Sequence, residues 1–156
     1  MRVELEPGSY VIAVSGGVDS VALLHQLSQQ PGVRLTVAHF DHGIRTDSGL
    51  DRELVQGLAK QYGLPFVHQE GHLGAGASEA VARQARYDFL RQVQQAVKAS
   101  AIITAHHQDD VLETAIINMV RGTGRKGITS LRSHPHLRRP LLAVPKADIL
   151  AYAKDQ

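Results

Sequence analysis

The chain has 156 residues, of which 43% are hydrophobic and 21% charged, a balance typical of one soluble globular domain rather than of a disordered segment. It contains no cysteine, which excludes a disulfide framework, thiolate metal sites and a cysteine nucleophile within this chain. Its formal net charge is +2, and it has no apolar run of about 18 residues. We therefore expect a cytoplasmic protein with no membrane partner.

Strand-like and helix-like segments alternate along the chain. Hydrophobic periodicity predicts, in chain order, a strand at 10–14, a helix from 19 to about 29, a strand at 35–40, a helix from 48 that ends at Gly63, a strand at 65–69, a helix capped by Ser78, a strand at 101–104, a helix from 108 to about 120, a strand at 141–144 and a final helix near Pro145. This alternation predicts an α/β fold, with a doubly wound, mainly parallel five-stranded sheet and helices on both faces.

The most distinctive segment is the glycine loop (residues 15–20), which lies between the first predicted strand and the first predicted helix. It reads Ser15-Gly16-Gly17-Val18-Asp19-Ser20. Backbone amides at the start of a helix form an anion site, and glycine lets the backbone approach phosphate closely. Asp19 beside a phosphate is explained if it helps to hold Mg²⁺. The alternative is an ordinary glycine-rich turn in which Asp19 interacts with the helix dipole.

Two acidic residues follow the fourth predicted strand. Asp110 and Glu113 are three residues apart near the start of a predicted helix, so they share one face. Such a pair suits a substrate ammonium group, and either member suits the role of general base. The alternative is that acidic residues accumulate at helix N-termini because of the helix dipole.

Basic and imidazole side chains provide further candidates. Arg83 and Arg86 suit the stabilisation of charge during phosphoryl-type transfer, or else form a solvated helix face. His106 and His107 lie where the fourth strand ends, next to the predicted ligand-binding edge. Adjacent histidines in one turn rarely converge on a single ion, so we do not predict a metal site there.

The predicted sheet brings these segments together. In a sheet of order 3-2-1-4-5, the loops after strands one and four flank the switch point at which such sheets bind ligands. The glycine loop follows strand one, His106–Glu113 follow strand four, and Asp41 follows strand two at the same edge. We therefore expect the three segments to meet at one crevice.

The motifs together resemble a known family. The SGGVDS sequence is similar to the pyrophosphate-binding loop of the N-type ATP pyrophosphatases, or PP-loop superfamily. Further motifs follow this loop along the chain. They are His39-Phe40-Asp41-His42-Gly43-Ile44-Arg45, Arg83 with Arg86-Tyr87, His106-His107-Gln108-Asp109-Asp110 with Glu113, Asn118, Arg121-Gly122-Thr123-Gly124 and Arg139-Pro140-Leu141-Leu142. In this order and spacing they resemble the N-terminal catalytic domain of the tRNA(Ile)-lysidine synthetase family, over nearly the whole chain.

This resemblance implies a ligase that uses ATP and Mg²⁺. Its substrates would be lysine and tRNA(Ile) with a CAU anticodon: ATP adenylates the C2 oxygen of the wobble cytidine, and the lysine ε-amine then displaces AMP. The implied ATP-binding residues are Ser15, Gly16, Gly17, Val18, Asp19 and Ser20; the implied catalytic residues are Asp110, Glu113, Arg83 and Arg86; candidates for contact with lysine or the target base are Asp41, His42, Arg45, His106, His107, Asn118 and Arg121.

Two other interpretations also fit the sequence. A non-catalytic AMP- or ATP-binding module has the same fold, although it needs neither the acidic pair nor the Asp41 segment. A 2-thiocytidine-type tRNA enzyme shares similar motifs but uses cysteine-bound iron–sulfur clusters, so its thiols would have to come from outside this chain. The final helix begins shortly before Gln156, so we expect residues 1–156 to be one PP-loop domain shortened at its C-terminal end, without tRNA-binding regions. A homodimer is compatible with the sequence.

Overall fold

A computed structural model describes residues 1–41, 48–71, 78–107 and 136–156. Within these ranges the chain forms a five-stranded sheet of order β3-β2-β1-β4-β5, in which every neighbouring pair is parallel. The strands are β1 (Gly8–Ala13), β2 (Val33–Asp41), β3 (Phe66–Glu70), β4 (Ala101–Ile103) and β5 (Leu137–Arg138). The predicted fold class and strand order are confirmed.

Helices cover both faces of this sheet. They are α1 (Val18–Ser28), α2 (Ser48–Gln61), α3 (Glu79–Val97) and α4 (Lys146–Asp155). The helix predicted at 108–120 lies outside the described residues. None of the helices in the described ranges combines the length and the apolar character needed to cross a membrane.

Alternation along the strands divides the core into two parts. On β1, Ile12 belongs to the cluster formed with α1, α2 and α4, whereas Val11 belongs to the cluster formed with α3. The same alternation separates Ile103 from Ile102 on β4. Successive side chains of a strand point to opposite faces, so one apolar run supplies both cores.

Two of the helices bury only some of their apolar side chains. On α2, Val55 is fully buried, but Leu50 is 68% exposed and Leu54 is 48% exposed. On α3, Phe89, Leu90 and Val93 are buried, whereas Val81 is 51% exposed. The helical period correctly located these helices, but it did not show which of their apolar side chains the rest of the chain covers.

The fifth strand was predicted in the wrong place. The strand is Leu137–Arg138, and 141–144 instead form turns in which the Leu142 amide bonds to the Arg139 carbonyl and the Val144 amide to the Leu141 carbonyl. Leu141 is nonetheless fully buried. A short apolar run indicates burial but does not distinguish a strand from a buried turn. The actual strand is a short edge segment, which needs no apolar pattern.

Candidate functional site

The glycine loop begins at a firmly held point on β1. Beyond the end of that strand, the Val14 amide bonds to the Ala38 carbonyl at 3.0 Å. The Val14 carbonyl accepts a hydrogen bond from Nδ1 of the buried His39 at 2.8 Å. His39 therefore lies within β2 and anchors the start of the glycine loop through this hydrogen bond. It is the first residue of the His39–Arg45 motif described above.

Ser20 closes the glycine loop on itself. Its hydroxyl donates to the Gly17 carbonyl at 3.1 Å and accepts from the Ser15 amide at 3.2 Å. The Ser15 hydroxyl lies 3.3 Å from the Ser20 hydroxyl and also accepts from the Gly17 amide at 3.3 Å. The two predicted serines therefore shape the loop before any ligand is considered.

Gly16 is required by its backbone conformation. Its φ is +101°, a region that other residues rarely adopt. A β-carbon at this position would lie 3.0 Å from Oδ1 of Asp51, in the first turn of α2. The close approach of Asp51 to the loop was not predicted, because only the tertiary structure brings α2 to this edge.

The N-terminus of α1 is open. Gly17 is its N-cap and contributes no side-chain hydrogen bond, and the first intrahelical bond runs from the Val21 amide to the Gly17 carbonyl. The amides at the start of a helix have no intrahelical acceptor and carry the positive end of its dipole. The loop therefore presents donors suited to an anion.

Asp19 joins the loops that follow β1 and β4. Its Oδ2 lies 3.3 Å from Nε2 of the buried His107, and its Oδ1 is paired with Nζ of Lys146 at the start of α4. We call these three residues the Asp19 cluster. The predicted meeting of the two loops is observed in this contact. Lys146 was missed, because nothing in the local sequence separates it from an ordinary surface lysine.

The remaining predicted residues divide into two groups. Among the described residues, Asp41 ends β2 and is half-buried, and Nδ1 of His106 lies 3.0 Å from the Thr104 hydroxyl. His42, Arg45, Asp110, Glu113, Asn118 and Arg121 lie outside the described residues.

Arg83 and Arg86 surround a tyrosine on α3. Their guanidinium carbons lie 5.3 and 5.4 Å from the centre of the Tyr87 ring, within range of a cation–π interaction. Nη2 of the buried Arg139, which follows β5, donates to the Tyr87 hydroxyl at 3.3 Å. Three guanidinium groups thus gather around one phenol, on the face of the sheet opposite α1.

Asp19 suits a magnesium ion that is shared with phosphate. Mg²⁺ is usually bound through one or two carboxylates together with substrate phosphates. The described ranges contain no cluster of three histidine or acidic side chains that would hold a metal by itself. Asp19, next to the open amides of α1, fits the first arrangement and not an all-protein metal site.

Comparison with known families decides the classification. Residues 3–156 match the model of the PP-loop domain. The chain belongs to the PP-loop domain family. The match covers almost the entire chain and includes the glycine loop, the Asp19 cluster and the arginines around Tyr87.

Curated relatives of this PP-loop domain include tRNA(Ile)-lysidine synthases. The chain is 37% identical to the enzyme of Thermotoga sp. strain RQ2, an alignment that covers 97% of the chain and 39% of the relative. It is 42% identical to the enzyme of Thermus thermophilus, an alignment that covers 92% of the chain and 29% of the relative. The chain thus spans less than half the length of these relatives.

Solved structures support the fold. The U34-tRNA thiolase NcsA from Methanococcus maripaludis matches with a TM-score of 0.77 and 20% identity, covering 96% of this chain and 57% of that one. The NH3-dependent NAD synthetase from Campylobacter jejuni matches with a TM-score of 0.59 and 18% identity, covering 94% and 63%. At these identities, the likeness concerns the architecture of the PP-loop domain.

Proposed function

We propose that this PP-loop domain binds ATP at the glycine loop and uses it to join lysine to C2 of the wobble cytidine of tRNA(Ile) with a CAU anticodon. The observation that carries the proposal is the contact between Asp19 and His107. This contact joins the glycine loop after β1 to the segment after β4. In the sequence, that segment continues to Asp110 and Glu113. The similarity to tRNA(Ile)-lysidine synthases supports this reaction among those of the family.

The ATP-binding part rests on local geometry. The open amides of α1 and the positive φ of Gly16 suit the β- and γ-phosphates of ATP. Asp19 is the residue that would hold Mg²⁺ against these phosphates. Bound Mg²⁺ would neutralise charge on the phosphates and so favour the departure of pyrophosphate.

The proposed reaction has two balanced steps. In the first, the C2 oxygen of the cytidine attacks the α-phosphorus of ATP, and the bond to pyrophosphate breaks. In the second, the lysine ε-amine attacks C2, its proton passes to a carboxylate, and AMP leaves with the C2 oxygen. Asp110 and Glu113 are the residues that we propose to bind the ammonium group and accept that proton.

The arginines on α3 are proposed to stabilise developing charge. Arg83 is exposed and Arg86 is half-buried, and both are positioned by the ring of Tyr87. A cation that is already oriented stabilises an anionic transition state without reorganising at the moment of reaction. His42, Arg45, Asp41, His106, Asn118 and Arg121 remain proposed contacts to lysine or to the target base.

The test is AMP release from ATP in the presence of Mg²⁺, lysine and an unmodified tRNA(Ile) transcript with a CAU anticodon. We expect release that requires both lysine and this tRNA. It should be slow, because tRNA affinity comes from many phosphate contacts and the chain spans less than half of its relatives. Glu113→Gln should abolish it, whereas Glu53→Gln, on the exposed side of α2, should not.

Three outcomes would contradict the proposal. If unrelated tRNAs stimulate AMP release as strongly as tRNA(Ile), the CAU anticodon is not the target. If another amine supports AMP release as well as lysine does, lysine is not the specific donor. AMP release that needs neither lysine nor tRNA would exclude both as substrates.

A further inference from the structure

The Asp19 cluster contains a cation that the proposed reaction has not used. Lys146 is the first residue of α4, and its Nζ is paired with Oδ1 of Asp19. Both side chains are partly accessible, with 33% of Lys146 and 26% of Asp19 exposed. The lysine therefore lies at the open end of α1, beside the amides that suit phosphate.

The backbone that carries Lys146 is firmly docked. One turn further along α4, Ile149 is fully buried in the core shared with α1. The Tyr152 hydroxyl lies 2.8 Å from Nδ1 of His25 on α1. Burial raises the pKa of the Tyr152 hydroxyl above its ordinary value. The position of Lys146 relative to the glycine loop is thus fixed by two contacts on its own helix.

Asp19 creates an electrostatic problem that Lys146 can solve. A carboxylate next to bound phosphate is repulsive unless a cation lies between them. The glycine loop itself contains no lysine, unlike the GxxxxGK[ST] phosphate loop. The flexible four-carbon stem of Lys146 lets its ammonium group turn from the Asp19 carboxylate to a phosphate held at the start of α1.

We propose that Lys146 is a phosphate-binding residue that exchanges partners. In the ligand-free domain it neutralises Asp19. When Mg²⁺ and the nucleotide bind, Nζ moves to the pyrophosphate portion of ATP, while His107 keeps the Asp19 carboxylate oriented from its other oxygen. This inference rests on the proposed ATP-binding function and supplies the cation that the loop lacks.

The first experiment measures affinity by calorimetry for three ligands: Mg-ATP, inorganic pyrophosphate with Mg²⁺, and adenosine. Lys146→Gln should weaken the two phosphate ligands by at least about tenfold, the value of one hydrogen bond to a charged group. Adenosine affinity should not change. Lys146→Arg should restore most of the loss, and Lys154→Gln, an exposed lysine at the far end of the same helix, is the matched control.

A second experiment tests the exchange itself, without Mg²⁺. Asp19→Asn should tighten pyrophosphate binding, because it removes the repulsive carboxylate and the ion pair that holds Lys146 beside it. Adding Lys146→Gln to this variant should remove most of that gain if Lys146 contacts the ligand. If the gain comes only from lost repulsion, the double variant will keep it, and the proposal is wrong.

The outcomes separate this inference from the proposed function. If the wild-type chain binds neither Mg-ATP nor pyrophosphate, both fail. If it binds them and Lys146→Gln binds them equally well, only the role of Lys146 is overturned. A loss of adenosine affinity equal to the loss of pyrophosphate affinity would indicate a merely structural effect and would also overturn it. A partly exposed ion pair contributes little to stability, so we expect Lys146→Gln to fold.

Discussion

Helices α1 and α3 cover opposite faces of the sheet and differ most at their N-termini. Both insert fully buried leucines into a core, Leu24 from α1 and Leu90 from α3. At the start of α3, the Ser78 hydroxyl accepts a hydrogen bond from the Val81 amide at 3.2 Å. At the start of α1, Gly17 offers no such acceptor.

This difference distinguishes a structural helix end from a binding one. A side-chain cap satisfies an amide within the chain and stabilises the helix. An open end leaves the same donors and the same dipole for a ligand. The chain has a side-chain cap on α3 and leaves the N-terminus of α1 open, as the proposed ATP binding requires. Three predictions test this comparison, and a fourth concerns the pH dependence of stability.

The largest expected effect concerns what the two helices share. Leu24→Ala and Leu90→Ala each remove a fully buried side chain and should each lower the free energy of unfolding by about 2–5 kcal/mol. Leu150→Ala, on the exposed side of α4, is the control and should change it by less than about 0.5 kcal/mol. Urea denaturation measures all three. If either core variant lowers the free energy of unfolding by much less than this, the core on that face of the sheet is loosely packed.

The second prediction concerns the backbone at the start of α1. Gly16→Ala places a side chain at a φ of +101° and should cost about 1–3 kcal/mol of stability. Gly17→Ala is the matched control, because the φ of Gly17 is −71°. A β-carbon there would lie 3.6 Å from its nearest neighbour, Oγ of Ser15. Thermal unfolding compares them. Equal melting temperatures would mean that the loop relaxes and that Gly16 is dispensable for folding.

The third prediction separates the two helix ends directly. Ser78→Ala should lower stability by about 1 kcal/mol through the lost cap and leave ATP affinity unchanged. Ser20→Ala should weaken ATP binding, because its hydroxyl holds the Ser15 amide and the Gly17 carbonyl in place. Denaturation and ATP titration of both variants measure the contrast. An unchanged ATP affinity in Ser20→Ala would contradict our description of the loop.

The smallest effect concerns pH. Burial raises the pKa of Tyr62 and of Tyr152 above 10.0, and for Tyr152 the nearby Tyr62 adds to the rise. The folded state therefore holds these protons more tightly than the unfolded state. Their contribution to stability is complete below pH 10 and is lost as the pH rises through the folded-state values. Above pH 10, the free energy of unfolding should fall less steeply with pH in the double variant Tyr62→Phe/Tyr152→Phe than in the wild type. Urea denaturation at several pH values measures this, and equal slopes would refute it.

Much of the fold was predictable because periodicity reports burial. The strands β1 to β4 and the helices α1 to α4 were all located, with boundaries that differ by a few residues at most. The error at 141–144 arose because Leu141 is buried in a turn, which has the same apolar signal as a strand. The exposure of Leu50 was also unpredictable, since periodicity marks an apolar side chain but does not show whether another element covers it.

The candidate site was predictable where neighbouring residues carry it. The glycine loop was found from six consecutive residues, and its meeting with His107 followed from the strand order. Asp51 and Lys146 were not found, because each reaches the loop from a separate helix. The acidic pair Asp110 and Glu113 lies outside the described residues, so its place beside the loop stays a prediction.

Local backbone preferences and the short-range hydrophobic pattern were enough to predict the alternation of strands and helices, the parallel sheet and the glycine loop. The charges that surround Asp19 could be identified only in the folded chain. Lys146 is 127 residues away along the chain, and its ion pair exists because α4 packs against α1. Local patterns do not encode such a contact, since it depends on how separate elements are oriented on the sheet.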